Sequence, residues 1–322
     1  MPIAVVAIGG NSLVRPGHPD SFEEQRTNLV TTCDGIAAVV KAGYRVVVTH
    51  GNGPQVGDAL MRSELTADRV EGLPLDACVA ETQGTIGYLL EQVLVETLQR
   101  HGISCPAFTM VTQVLVSARD PAFGSPTKPV GRFYTREEAE HCSSELGWHM
   151  VEDARRGFRR VVPSPRPEGI VELSAIRAAL DGNALVIACG GGGIPVVFQH
   201  GELVGVEAVI DKDHVSGLLA RELEADLFLI STGVEQVSLN YRTPQPQPLA
   251  AMTVDEARRY LSEGQFPPGS MGPKIEAALE YLEGGGKLVI ITSPDCIPDA
   301  LYGLAGTRIA LGKHASGLRL TA

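Results

Sequence analysis

The chain has 322 residues, of which 44% are hydrophobic and 20% charged, a balance that excludes a disordered polymer. Aromatic residues make up only 5% beside 36 glycines, and no Gly-X-Y period runs through the chain, so tight turns and an aliphatic core are expected rather than a collagen helix. The 27 basic and 38 acidic residues leave a net charge of −11, without the broad basic field that non-specific nucleic-acid binding needs, although a few local lysines can still hold a small anion.

The length suits two joined lobes or one large α/β domain. Cys33, Cys78, Cys105, Cys142, Cys189 and Cys296 form no CxxC and no structural-zinc spacing, so they read as reduced thiols rather than a disulfide or zinc framework. The chain opens on Ile3-Ala4-Val5-Val6-Ala7-Ile8, which reads as a first strand rather than a signal peptide. No run approaches the roughly 18 apolar residues of a membrane span, so no membrane partner is expected and a cytoplasmic location is.

In chain order, the first strand is followed by a helix pattern with Leu29, Cys33, Ile36 and Val40 on one face. Tyr44–Thr49 reads as a strand that ends in His50-Gly51-Asn52-Gly53-Pro54, and residues 76–100 as a long helix with Val79, Ile86, Leu89, Leu90, Val93 and Leu94 in its apolar stripe. Phe108–Val116 alternates as a strand. Ala184–Cys189, Leu227–Thr232 and Leu288–Thr292 read as strands buried on both faces, with helices over Asp213–Glu224, Thr253–Glu263 and Pro273–Glu283. Thr135-Arg136-Glu137-Glu138 and Thr253-Val254-Asp255-Glu256 have the capping-box spacing of helix starts. Strands separated by helices predict an α/β fold: an open, mainly parallel, twisted sheet with helices on both faces. From Asp120 to about Ile170, Pro121, Pro126, Pro129, Pro163, Pro165 and Pro167 interrupt this rhythm, and Arg159–Val162 reads as a returning strand, so a small subdomain protruding from the sheet is expected.

Three glycine turns, Gly9-Gly10-Asn11, Gly51-Asn52-Gly53 and Gly190-Gly191-Gly192-Gly193, each follow a strand and so fall at the carboxyl edge, where backbone N–H groups can meet an anion. No G-x-x-x-x-G-K-[ST] exists, and Gly51–Gly57 carries one residue too many for a dinucleotide fingerprint. Lys212 and Lys274 both stand where a helix begins, the wrong charge for that end of the dipole unless a polyanion is bound there. Lys128 lies in the proline-rich excursion. Asp213 is placed either to orient Lys212 and Lys274 or simply to cap a helix. His50 reads as structural. Lysines at glycine turns are the equipment of phosphoryl transfer, which depends on positioning and electrostatic stabilisation.

The segments Gly9–Leu13, Thr49–Gly57, Glu81–Tyr88, Pro126–Gly131, Arg160–Pro165, Gly190–Pro195, Glu207–Asp213 and Gly269–Lys274, in this order, resemble the carbamate kinase branch of the amino acid kinase family from about Ile3 to Ile309. The resemblance implies a three-layer sandwich in two lobes, residues 1–205 for carbamate or carbamoyl phosphate with the subdomain at about 120–170, and residues 206–322 for ATP or ADP. It implies a homodimer that transfers a phosphoryl group reversibly between the two substrates, with Mg²⁺ on the nucleotide phosphates and no protein metal site. Lys128, Lys212, Asp213 and Lys274 would be catalytic, and Gly9, Gly10, Asn11, Gly51, Asn52 and Gly53 would hold the acceptor and the phosphoryl group. Lys212, Ser231, Thr232, Val234, Val237, Tyr241, Met271, Gly272 and Lys274 would hold the nucleotide. Ser12, in place of a commoner alanine, and Gly233 depart from the pattern. A kinase acting on another small carboxylate, or an idle regulator on the same fold, are the competing expectations. The Pro126-Thr127-Lys128-Pro129 insertion favours the first reading over the former, and the presence of all three lysines favours it over the latter.

Overall fold

Every residue of β1 (Ile3–Ile8) is apolar, so the strand is stable only with both faces covered. In the computed structural model, which describes residues 1–10, 13, 21–152, 157–241 and 243–312, its alternate residues enter two different cores: Ala4, Val6 and Ile8 one, Val5 and Ala7 the other. The first half continues through α1 (Phe22–Lys41), β2 (Arg45–His50), α2 (Gly53–Leu65), α3 (Leu75–Arg100), β3 (Ala107–Thr109) and β4 (Gln113–Val116). The excursion contributes β5 (Lys128–Tyr134), α4 (Arg136–Leu146), β6 (Met150–Glu152) and β7 (Phe158–Val162), and the chain returns through β8 (Pro167–Ile170), α5 (Leu173–Asp181), β9 (Leu185–Ile187), β10 (Ile194–Gln199) and β11 (Glu202–Gly205). The remainder is α6 (Lys212–Glu222), β12 (Leu227–Ser231), β13 (Val237–Leu239), β14 (Gln247–Leu249), β15 (Ala251–Thr253), α7 (Val254–Ser262), α8 (Met271–Glu283), β16 (Leu288–Thr292), α9 (Ile297–Leu301) and β17 (Thr307–Ala310).

Eight strands form the main sheet in the order β15-β17-β16-β12-β1-β2-β9-β3, parallel at every pairing except β16 with β17. On one face α1, α3 and α9 bury Leu29, Cys33, Ile36, Leu89, Leu90, Leu94, Ile297 and Leu301. On the other, α5, α6 and α8 bury Ile176, Leu180, Val215, Leu219, Ile275, Ala278 and Leu282. Each fully buried aliphatic side chain contributes about 1.5–3 kcal/mol, and this sandwich is the main cohesive force of the fold. Strand β1 has β2 on one side and β12 on the other, so the order reverses there and opens a crevice at the carboxyl ends of the strands. The expected open, mainly parallel α/β sheet is the one observed. Among the described residues no helix is long and apolar enough to cross a membrane.

The excursion folds as its own three-stranded sheet, β5-β7-β6, with α4 packed on it and Tyr134, Ala139 and Cys142 at its centre against Trp148, Met150 and Phe158. Both anticipated capping boxes are present, at Thr135 with Glu138 and at Thr253 with Glu256. Residues 108–116 are two strands, not one. Strand β3 pairs in the main sheet and β4 in a second sheet, ordered β11-β10-β4-β8. Between them the Gln83 amide accepts from Thr112 N at 2.8 Å and donates to Thr112 O at 3.0 Å, satisfying the backbone where it leaves one sheet for the other. Helix α2, the β10–β11 hairpin and the β13–β14 hairpin are additions to the sequence-based expectation.

Helix α2 carries the excursion. At Gly57 its backbone meets β5 so closely that an added Cβ would lie 1.9 Å from Gly131 Cα, and Gly131 itself has a φ of +71°. No side chain fits between the two. Gly57→Ala should therefore cost about 1–3 kcal/mol as an overpacked contact, read as a lower melting temperature in calorimetry. A variant melting with the parent protein would show that the contact has slack.

Candidate active site

At the carboxyl edge of the sheet, α6 and α8 begin side by side and each supplies a lysine from its first turn. The cap of α6 is Asp211, whose Oδ1 accepts from Asp213 N at 2.9 Å, so Asp213 is not the helix cap and its carboxylate is left for other work. Asp213 Oδ1 accepts from Lys212 Nζ at 2.7 Å and Oδ2 from Lys274 Nζ at 2.9 Å. Burial alone would raise the Asp213 carboxyl, but Lys212 and Lys274 override it and hold it well below the usual carboxylate range. Burial also makes Lys212 lose its proton more easily than an ordinary lysine, despite Asp213. The third lysine comes from the excursion: Lys128, at the start of β5, donates to Asp211 Oδ2.

These groups line one cavity together with Gly10, Gly51, Asn52, Gly53 and Gly191. Among the described residues three lysines face two aspartates there, leaving a positive balance in a chain whose net charge is −11. Lys212 runs past Gly51, where a Cβ would lie 3.6 Å from its Cδ. Asn52 begins α2 and donates from Nδ2 to Thr82 Oγ1 at 2.8 Å, which fixes the amide at the cavity wall. Gly9 does not line the cavity; it packs between strand ends, 3.0 Å from Ser231 O at its would-be Cβ. Asn11 and Ser12 lie outside the described residues.

The four-glycine turn serves packing as much as ligand approach. Gly191, at φ +67°, is the one of the four that lines the cavity, and a Cβ on it would lie 2.2 Å from Asn52 Nδ2. Gly190 covers His50, which is fully buried, has no partner for Nε2, and has its pKa lowered to about 4 by that burial. His50 is thus neutral and structural. Among the described residues no histidine or cysteine lines the cavity.

A second cavity shares Ser270 and Lys274 with the first, so the two form one cleft. It is lined by Thr232, Val234, Tyr241 and Met271, which were anticipated, together with Gly233, Gln236, Ser238, Phe266 and Pro267. Ser231 and Val237 are fully buried and do not line it, and neither does Gly272, which packs on Pro267 O at the start of α8. Helix α8 begins at Met271, two residues before the expected first position at Pro273. Asp211 and Ser270 were missed from the lysine site. An Asp ahead of a helix start marks a cap in sequence, so Asp211 was findable, whereas Phe266 and Pro267 reach the second cavity only through tertiary folding.

The profile of the amino acid kinase family matches residues 2–293. The chain is 46% identical to the carbamate kinase of Thermococcus kodakarensis over 96% of this chain and 99% of that protein. It is 49% identical to the carbamate kinase-like protein YahI of Escherichia coli over 95% and 98% respectively. Among solved structures, the carbamate kinase from Giardia lamblia bound to AMP-PNP superposes with a TM-score of 0.89 at 41% identity, covering 97% of this chain and 99% of that one. The chain belongs to the amino acid kinase family, in its carbamate kinase branch, and is a phosphotransferase.

Proposed function

We propose that the protein transfers a phosphoryl group reversibly between ATP or ADP and carbamate or carbamoyl phosphate. The observation that carries this reading is the convergence of Lys128, Lys212 and Lys274, from the excursion, α6 and α8, on one cavity joined to a second. The names of the relatives support the substrates, and the AMP-PNP in the Giardia lamblia structure supports a nucleotide. The acceptor and the phosphoryl group would lie at Gly10, Gly51, Asn52, Gly53 and Lys128, on the lobe formed by residues 1–205. The nucleotide would lie at Thr232, Val234, Tyr241 and Met271, on the lobe formed by residues 206–322.

The chemistry asks little of the protein beyond position and charge. A nucleotide β-phosphate oxygen attacks the phosphorus of carbamoyl phosphate, and the phosphorus–oxygen bond to the carbamoyl group breaks. The leaving carbamate keeps its electron pair as an anion and no proton moves, so the step needs no general base. Charge builds on the phosphoryl oxygens, where Lys212 and Lys274, held apart by Asp213, would neutralise it, with Lys128 on the carbamoyl phosphate. Mg²⁺ fits as a passenger on the nucleotide, where it would neutralise phosphate charge: both carboxylates lining the cavity already hold lysines, and among the described residues no cluster of acidic, histidine or cysteine side chains could hold a metal. A cytoplasmic homodimer completes the reading, and the exposed stacked rings of Phe22 and Tyr88, 6.5 Å apart, support a partner surface on α1 and α3.

Purified protein should make ATP from Mg-ADP and carbamoyl phosphate in a coupled assay; no turnover would sink the reading. Lys274→Ala should cost about 10²–10³-fold in turnover with little change in melting temperature, because Asp213 keeps Lys212; an unchanged rate would remove Lys274 from the site. Since burial lowers the Lys212 pKa, kcat/KM should fall at a pH below the ordinary lysine range of about 10.4, and Lys212→Arg should push that alkaline limb upward. A limb at the ordinary value would show that Lys212 is not the titrating group.

A further inference from the structure

The excursion joins the body through a narrow neck. On its incoming side, the Asp120 carboxylate accepts from Ala122 N and, across the neck, from Arg166 N, both at 2.8 Å. On the outgoing side, Pro163, Pro165 and Pro167 stiffen the backbone around Arg166, just before β8 pairs with β4. The Arg166 side chain then leaves the neck and reaches the two helices that carry the active-site lysines. Its Nη1 lies 3.0 Å from Glu280 Oε1 and its Nη2 3.3 Å from Glu276 Oε2, both on α8. Its Nη1 also lies 2.6 and 2.9 Å from the two ring nitrogens of His214 on α6, a guanidinium laid against the imidazole. His214 is itself 3.4 Å from Glu276 and 3.7 Å from Glu280.

The position of this cluster is informative. His214 directly follows Asp213, and Glu276 lies two residues after Lys274, so Arg166 meets α6 in its first turn and α8 along the turns that follow its lysine, outside the cavity that the lysines line. The Arg166 side chain is 56% exposed, and exposed ion pairs of this kind are worth about 0–1 kcal/mol. Such a cluster contributes little to holding the fold together. It can contribute a great deal to where Lys128 sits, because catalysis by position is sensitive to shifts of about 1 Å. The other supports of the excursion include the packing of Val130 and Val162 on Val56, Ala59 and Leu60 of α2, the Gly57–Gly131 approach, the Arg160–Glu64 ion pair at 2.6 Å, the bond from Val209 N to Pro163 O at 2.9 Å, and the Lys128–Asp211 pair itself. Apart from these, Arg166 is the support that bonds both to the neck and to both lysine-bearing helices.

We propose that Arg166 is a positioning residue: through His214, Glu276 and Glu280 it sets the angle of the excursion on α6 and α8, and so the distance of Lys128 from Lys212 and Lys274. The kinetic part of this inference rests on the proposed phosphoryl transfer. Arg166→Ala should lower kcat/KM for carbamoyl phosphate by about 3- to 30-fold, the range that two exposed ion pairs can hold, while the KM for ADP holds, since among the described residues no neck residue lines the second cavity. Arg166→Lys should recover part of the loss, because one ammonium cannot hold two carboxylates in the planar fork of a guanidinium.

A double-mutant cycle separates positioning from a general structural role. In a Lys128→Ala background, Arg166→Ala should add nothing, as its effect runs through Lys128; additive losses, or no loss in the single variant, would overturn the proposal. Hydrogen exchange supplies a readout independent of turnover. Arg166→Ala should speed exchange across β5 and β7 and leave β12 unchanged, and an unchanged β5 and β7 would likewise overturn it. A parent protein without turnover would defeat the functional reading and leave the exchange result to decide this one. Should Arg166→Ala fail to fold, Glu276→Gln with Glu280→Gln releases the same guanidinium and must give the same exchange pattern.

Discussion

Asp213 holds two ammonium groups from two helices in a cavity wall where its side chain is only 7% exposed. Without that carboxylate, Lys212 and Lys274 would repel each other at close range, with little solvent to screen them. With it, one oxygen faces each lysine, and the starts of α6 and α8 are tied to a common point. The arrangement depends on Asp211 taking the cap of α6, which spares Asp213 from the role that an Asp at a helix start usually fills.

The main sheet supplies the rigidity behind this constraint. Strands β1, β2 and β12 are buried on both faces, so their carboxyl ends cannot shift independently, and the turns at Gly10 and Gly51–Gly53 inherit that fixity. Lys128 reaches the same cavity by a different route, on a subdomain with its own small core, held by α2 beneath it and by the Arg166 neck. Two lysines are thus placed by the core and the third by a subdomain packed against it. The net charge of −11 belongs to the outer surface; the cavity keeps its own positive balance because its lysines outnumber its aspartates.

Much of the fold was legible from periodicity. Apolar runs such as Leu227–Thr232 and capping boxes such as Thr253 with Glu256 carry their meaning locally, because an unbroken apolar run and a cap hydrogen bond are both written in near neighbours in sequence. Helix α2 was not read from the sequence, although Asn52 at its cap and Pro54 in its first turn are start signals; the glycines around them, Gly51, Gly53 and Gly57, mask the pattern, and Gly57 serves the close approach to β5. The break between β3 and β4 was hidden as well. Residues 108–116 alternate like one strand, and it is distant groups, the Gln83 amide and Ile194 N among them, that satisfy the backbone where it changes sheets.

The lysines and glycine turns of the site could be named from sequence because each sits at a recognisable boundary between a strand or loop and a helix. The sequence by itself determined the fold class, the edge of the sheet on which a ligand would bind, and the residues that bring positive charge to it. Tertiary structure alone decided which of those residues meet: that Asp213 bridges two lysines, that Gly9, Ser231 and Val237 serve packing, and that Phe266 and Pro267 close the second cavity. The physical reason is separation along the chain. Lys128 and Asp211 stand 83 residues apart, and Lys274 and Asp213 stand 61 apart. No local pattern of charge or hydropathy records which partner the folded core will bring within 3 Å.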